Sequence, residues 1–217
     1  LNKKTLLFKN FYKIKGFSSG TIVAFETEPD EGKTLNKGGN GMATINGLNT
    51  DCLVKVVQQV KGNWETGRTV WKASTNWLDG FRVETESRGF KLTFDEPDLL
   101  CGTNTAANPV EVVLQAYGAC LTIGYVMNAA ARGINLESIE IELEGEIDLP
   151  GFLGLEPPEE LGMDRLPGFK TIKASVKLKG DATREDLEAL HNHVISTSPV
   201  GTTLSRPVSL SSTLEVV

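Results

Sequence analysis

The stretch from Asn108 to Gly133 limits what this chain can fold into more than any other: Asn-Pro-Val-Glu-Val-Val-Leu-Gln-Ala-Tyr-Gly-Ala-Cys-Leu-Thr-Ile-Gly-Tyr-Val-Met-Asn-Ala-Ala-Ala-Arg-Gly. Pro109 suits a first helical turn, where its missing N–H has no intrahelical partner. Asn108 can cap that turn, and Glu111 lies near the positive end of the dipole. Arg132 and Gly133 supply the stop signals. A helix between these signals is about 36 Å long at about 1.5 Å per residue. Between its ends the one ionisable side chain apart from tyrosine is Cys120. A helix apolar nearly all round and rich in Ala and Gly must be buried, against a sheet or against a partner helix.

With 217 residues, 40% of them hydrophobic, the chain can bury one core of moderate size and carry an appendage. The net charge of −6 and the absence of a basic face argue against a nucleic-acid partner, since phosphate binding needs concentrated Lys and Arg. Cys52, Cys101 and Cys120 form neither a disulfide framework nor a Cys-x-x-Cys pair, so no metal or cofactor is expected and a reducing, cytoplasmic setting is. Gln115, Asn128 and the small residues make the long helix a poor membrane span, and the chain reads as soluble, with no membrane partner. The lysine-rich opening, Leu-Asn-Lys-Lys-Thr-Leu-Leu-Phe-Lys, lacks the apolar core of a secretory signal and the arginines of a transit peptide.

Around the long helix the pattern is α+β. Thr21 to Thr27 reads as a strand, residues 28–32 as a turn and residues 37–41 as a glycine-rich loop. Asn49 to Asp51 predicts the cap of a short helix through Val60, with Leu53, Val56, Val57 and Val60 on one face. The period then changes to two, predicting strands over 70–77, 81–86 and 90–94, with turns at Asp79-Gly80 and Ser87-Arg88-Gly89. Ser138 to Ile147 and Thr171 to Lys179 alternate apolar and charged residues as half-exposed strands do, and residues 149–168, with four prolines, form a long excursion between them. Asp181 or Thr183 caps a second helix with Leu187, Leu190 and Val194 as its core stripe. Val208 to Val216 alternates as a final strand. Two helices on largely antiparallel sheet follow from this order.

Cys120 is the sharpest candidate for chemistry, against the ordinary alternative that a Cys in an apolar helix is packing. Too far from the helix N-terminus to gain from its dipole, a thiolate there needs a cation brought from elsewhere. Glu111 is a second candidate, its alternative being a helix-terminal role. Nine residues place it about 13.5 Å along the axis from Cys120 and on the opposite side of an ideal helix. One site using both needs a symmetric dimer or a bend at Gly118. Gly16-Phe17-Ser18-Ser19-Gly20 fits the hydrolase elbow Gly-x-Ser-x-Gly, but the strand-like Thr-Ile-Val-Ala-Phe after it is the wrong context. Gly39-Asn40-Gly41 lacks the third glycine of a dinucleotide loop. His191 and His193, two apart, point to different sides of a helix and read as surface or groove residues; Asp95 and Glu96 read as solvated.

Phe90-Lys-Leu-Thr-Phe-Asp-Glu-Pro97, the glycine-bearing loop after it, Asn108-Pro109-x-Glu111 and Ala119-Cys120 resemble the OsmC/Ohr superfamily of osmotically inducible and organic hydroperoxide resistance proteins. Gly168-Phe169 and Ser198-Pro199-Val200 extend the match, which covers roughly Asn46 to the C-terminus and leaves residues 1–45 as an extension of unknown role before an OsmC-like domain over 46–217. The resemblance implies an intertwined homodimer with the long helices at its centre. It also implies a peroxidatic Cys120 whose thiolate is held by an Arg, itself held by a Glu. Arg82 is the first choice for that Arg, with Arg88 behind it, and Glu111 for the acid. Two departures stand out. The family's peroxidases carry a second, resolving cysteine where this chain has Ser198-Pro199-Val200, and Glu directly after the helix-starting proline where this chain has Val110. The pattern is nearer to the OsmC-related branch. The reading is a dimeric peroxidase for organic hydroperoxides, recycled by an external thiol unless Cys101 or Cys52 can resolve it; the alternative is a non-catalytic small-molecule-binding or stress-response protein on the same fold.

Overall fold

The computed structural model describes residues 44–163 and 165–216. The strand at 21–27, the turn and loop at 28–41 and the Gly16 to Gly20 motif lie outside them. The described part opens with a small hairpin, β1 (Thr44–Ile45) and β2 (Leu48–Asn49), turned through Asn46 and Gly47, both at positive φ. Asn-Gly suits this two-residue turn because both positions need a left-handed backbone. The Asn46 amide then bonds outward, donating to the Ile134 carbonyl at 3.0 Å and accepting from the Leu136 N–H at 2.8 Å. The hairpin is thereby tied to the end of the long helix. Helix α1 (Thr50–Gly62) follows, capped by Asn49 through the Cys52 N–H.

Three strands come next as an antiparallel sheet in the order β3 (Ser74–Asp79), β4 (Arg82–Ser87) and β5 (Phe90–Phe94). The first of them starts later than the 70–77 expected from alternation. Ser74 pairs with Glu86, near the end of β4, so residues 70–73 have no edge to join. One face of this sheet carries Trp77, Leu92 and Phe90, with Trp77 72% and Phe90 71% exposed; the other carries Arg82, Glu84, Glu86 and Lys91. The apolar face is left uncovered by the described residues.

Helix α2 (Pro109–Arg132) has the limits read from its caps, and Gly133 closes it in the left-handed conformation at φ 74°. It packs on a long antiparallel hairpin, β6 (Leu136–Ile147) and β7 (Phe169–Gly180), and on helix α4 (Arg184–Thr197). Between the strands, the excursion holds the short helix α3 (Leu149–Phe152) and one 3-10 turn. Thr183, rather than Asp181, caps α4, accepting from the Asp186 N–H at 3.1 Å. A last short helix, α5 (Pro199–Ser205), turns back toward α2.

The core joins Leu121, Tyr125 and Ala129 of α2 to Ile134, Leu190 and Val194, with Ile139, Ile141, Ala174, Val176 and Leu178 packed against it. Glu140, Glu142 and Lys177 face outward and pair across the strands. Gly124 sets the distance of α4: a Cβ there would sit 2.9 Å from a Val194 methyl. Within one chain the buried residues of α2 lie from Leu121 onward, while Ile123 and Met127 stay exposed. One expectation needs correction: the final strand is absent. Residues 207–216 are irregular, and Val208, Leu210, Leu214 and Val216 are exposed. Alternation fixes which side chains would share a face, but a strand exists only against a partner edge. The α+β class stands: α1 is the short helix expected after Asn49, α2 and α4 are the two larger ones, and the short helices α3 and α5 are added.

Candidate functional site

Cys120 lies half-buried on the face of α2 that meets the junction of α4 and α5. Its sulfur is 3.3 Å from Oγ of Ser198, a residue only 4% exposed. Local chemistry puts that hydroxyl there. A residue before proline is driven out of the helical region, so Ser198 ends α4 with an extended backbone and caps α5. Its Oγ accepts from the Gly201 N–H at 3.1 Å. Gly201 is needed for the fit, since a Cβ there would lie 2.9 Å from the Tyr117 ring and 3.2 Å from Ser198 Oγ. Beside this junction is a pocket of about 420 Å³, lined in part by Tyr117, Phe169, Ile172, Gly201 and Leu204. Tyr117 stands one turn before Cys120 on α2, so the pocket adjoins the thiol–hydroxyl pair. Lys170 at its rim is paired with Asp148.

Glu111 and Arg82 are elsewhere. Glu111 forms a capping box with Asn108: its carboxylate accepts from the Asn108 N–H at 2.8 Å while Asn108 Oδ1 accepts from the Glu111 N–H at 2.9 Å. It also lines an open groove of about 750 Å³ between α2 and β6, together with Leu114, Gln115, Gly118 and Thr122. Arg82 donates to Asp79 at 2.7 Å on the polar face of the three-stranded sheet, and this carboxylate raises its pKa. Arg88 sits over the rings of Trp71 and Phe90, at 5.4 and 5.6 Å. None of these contacts reaches Cys120. Within one chain the structure joins Cys120 to Ser198, not to the acid or the arginines. Cys52 and Cys101 are exposed free thiols.

The loop leading into α2 is wound around a buried acid. Asp95, read from sequence as solvated, is 1% exposed. Its carboxylate accepts from the Glu96 N–H at 2.8 Å, from Thr103 through N–H at 3.3 Å and Oγ1 at 2.5 Å, and from Thr105 through N–H at 3.0 Å and Oγ1 at 2.8 Å. These donors, led by the Thr103 hydroxyl, hold its pKa well below the usual carboxylate range. Glu96 hands the order on by accepting from the Asn108 side chain at 3.3 Å. Gly102 allows the winding, because a Cβ would fall 1.8 Å from the Glu96 carbonyl oxygen.

A second polar contact lies in the core below Cys120. Tyr125 is fully buried, with its hydroxyl 2.6 Å from Nδ1 of His191 and the two rings stacked at 6.2 Å. Burial pushes the phenol up to about 12, so the Tyr125 hydroxyl stays protonated beside Nδ1. Burial, assisted by Arg132, lowers the pKa of His193. His191, read from its spacing as a surface or groove residue, is a half-buried bridge between α2 and α4. In sequence Ser198 is part of the Ser198-Pro199-Val200 match and marks the place of a missing cysteine, with nothing to indicate its contact with Cys120. The signal for its position was Ser-Pro-x-Gly, a helix cap directly after a helix. Among the described residues no three His, Cys, Asp or Glu side chains converge as a metal cluster.

Comparison with known proteins bears on this arrangement. A search of curated proteins finds no match. Among solved structures the chain is similar to an OsmC-like protein from Mycoplasma pneumoniae, 15% identical over 63% of this chain and 87% of that one, with a TM-score of 0.52. A Psychrobacter arcticus protein described as an osmotic stress induced and detoxification response protein is 11% identical over 63% and 89%, with a TM-score of 0.50. An organic hydroperoxide resistance protein OsmC from Legionella pneumophila is 20% identical over 64% and 92%, with a TM-score of 0.42. The first two share this fold. The sequence profile of the family described as OsmC-like protein matches residues 102–213, just over half of the chain, and that span holds the long helix with Cys120, the β6–β7 hairpin and the junction with Ser198. On that match, the chain belongs to the OsmC-like protein family.

Proposed function

We propose that this chain is a thiol-dependent peroxidase for organic hydroperoxides, with Cys120 as its nucleophile. The observation that carries the reading is the half-buried thiol held against a buried hydroxyl, beside a pocket with apolar and aromatic walls. The Cys120 thiolate attacks the terminal peroxide oxygen. The O–O bond breaks, the sulfur is oxidised to a sulfenic acid, and the substrate leaves as an alcohol once its oxygen takes up a proton. The side chains of Tyr117, Phe169, Ile172 and Leu204 on this otherwise polar pocket offer contact to the organic part of such a substrate. A small external thiol then condenses with the sulfenic acid, releasing water and leaving a mixed disulfide. A second equivalent restores the Cys120 thiol. External reduction follows from a serine at position 198, where a resolving thiol would otherwise face Cys120.

The working unit in this proposal is a homodimer. The apolar face of the β3–β5 sheet, the open groove beside α2 and the exposed alternating tail are surfaces that a second copy would cover. A contiguous exposed apolar face of this kind marks an interaction surface. In this dimer Arg82 and Glu111, which do not contact Cys120 within one chain, serve the Cys120 of the other copy as thiolate partner and orienting acid. Among the described residues the side-chain contact of Cys120 is with a neutral hydroxyl and not a cation, which favours one rival, a non-catalytic binding protein using the same pocket. Turnover separates the two. With dithiothreitol as reductant, the wild type should consume cumene hydroperoxide catalytically and Cys120→Ser should not. Equal, slow consumption by both proteins, with saturable binding of an apolar ligand, would support the rival.

A further inference from the structure

We infer that Ser198 is a positioning residue for the nucleophile: its hydroxyl donates to Cys120 Sγ and favours the thiolate. The inference rests on the peroxidase reading for its purpose but not for its geometry. Ser198 Oγ already accepts from the Gly201 N–H at 3.1 Å, which fixes the oxygen and leaves its own proton to be placed. The side chain is 4% exposed, so that proton has no ready access to water. Among the described residues the acceptor in reach is Cys120 Sγ, at 3.3 Å.

The two protonation states of the sulfur use this arrangement differently. A neutral thiol is a weak acceptor, and it can as well turn its own S–H toward Oγ. A thiolate can only accept, and a hydrogen bond to an ionised acceptor is about twice as strong as a neutral one. The preorganised hydroxyl therefore gains more from the charged, attacking sulfur than from the neutral one. A relay runs from the Gly201 amide through Ser198 to the reacting atom, and the donor costs no reorganisation when charge develops there. The position used for a resolving thiol in related peroxidases thus takes another task here. A chain that gives up internal disulfide formation gains a fixed donor to its single nucleophile.

Iodoacetamide alkylation tests this without any hydroperoxide. The thiolate attacks the methylene carbon, iodide leaves, and mass mapping follows each cysteine separately at neutral pH. Exposed Cys52 and Cys101 act as internal references. In Ser198→Ala the rate at Cys120 should fall about tenfold, the loss of one charge-assisted hydrogen bond. Ser198→Gly should fall equally, and it keeps most of the helix cap because Gly is a tolerated cap residue. Ser198→Thr, which retains both cap and hydroxyl, should stay within about twofold of wild type. A merely structural role predicts the opposite sign, since a loosened junction exposes Cys120 and speeds its alkylation. Unchanged or faster alkylation in the Ala and Gly variants would overturn the inference, as would a Thr variant that falls with them. Failure of hydroperoxide turnover alongside the expected alkylation pattern would remove the peroxidase reading and leave the donor role intact.

Discussion

Asp95 and Tyr125 each bind stability to pH, with opposite signs. Asp95 has a folded pKa below its ordinary value of 3.8, so its contribution is complete above about that pH and is lost as pH falls through the lower folded value. Thermal unfolding of the wild type should weaken with acid in that window. Asp95→Asn should be less stable at pH 6 and show a flatter acid limb. Tyr125 has a raised value, so its contribution is complete below about 10 and lost as pH rises to about 12. Tyr125→Phe removes that alkaline slope and the bond to His191, at a cost of about 0.5–1.5 kcal/mol in denaturant titration. The Cys120–Ser198 distance predicts a third result. Ser198→Cys should form an intramolecular disulfide with Cys120 after one equivalent of hydroperoxide, because 3.3 Å is within a side-chain adjustment of a bond of about 2.05 Å. Two free thiols after oxidation would contradict the placement. At this scale the sequence was only partly legible. Cys120 stood out because a lone ionisable group in an apolar helix breaks a local pattern. Ser198 and His191 acquire their meaning from partners 78 and 66 residues away, and no local spacing carries that.

Among the elements, the long helix was readable to its ends because capping is local chemistry. The Asn108–Glu111 box and Gly133 need only their neighbours. Its packing was not readable, since burial depends on what the rest of the chain brings. Leu121, fully buried where α2 meets its neighbours, makes that packing measurable: Leu121→Ala should cost about 2–5 kcal/mol in urea unfolding, the usual range for a truncated core leucine. A loss within 0.5 kcal/mol would show that the α2 interface contributes little. The strands divide in the same way. Residues 90–94 form β5 as read, while β3 starts late and the 208–216 strand is missing because register and partner edges come from other segments. The burial of Asp95 is hidden in the sequence for a related reason. Two adjacent acids look solvated until Thr103 and Thr105 are wound back onto one of them.

At the level of the whole molecule, few hydrophobic side chains are fully buried among the described residues, and all of them lie around α2 and α4. The exposed Trp77, Phe90 and Leu92 face predicts assembly. Sedimentation at micromolar concentration should give a dimer, and Trp77→Asp with Leu92→Asp should shift it to monomer; a well-behaved wild-type monomer would contradict the shared site. The reactivity of Cys120 is tested most directly by stoichiometric oxidation of the reduced protein with cumene hydroperoxide, followed by sulfenic-acid trapping and mass mapping in wild type and Cys120→Ser. The account predicts fast, selective labelling of Cys120, well above the labelling of Cys52 and Cys101 and above that obtained with hydrogen peroxide, and none of this fast phase in Cys120→Ser. Slow labelling spread over all three cysteines would contradict it and return Cys120 to the packing of the core.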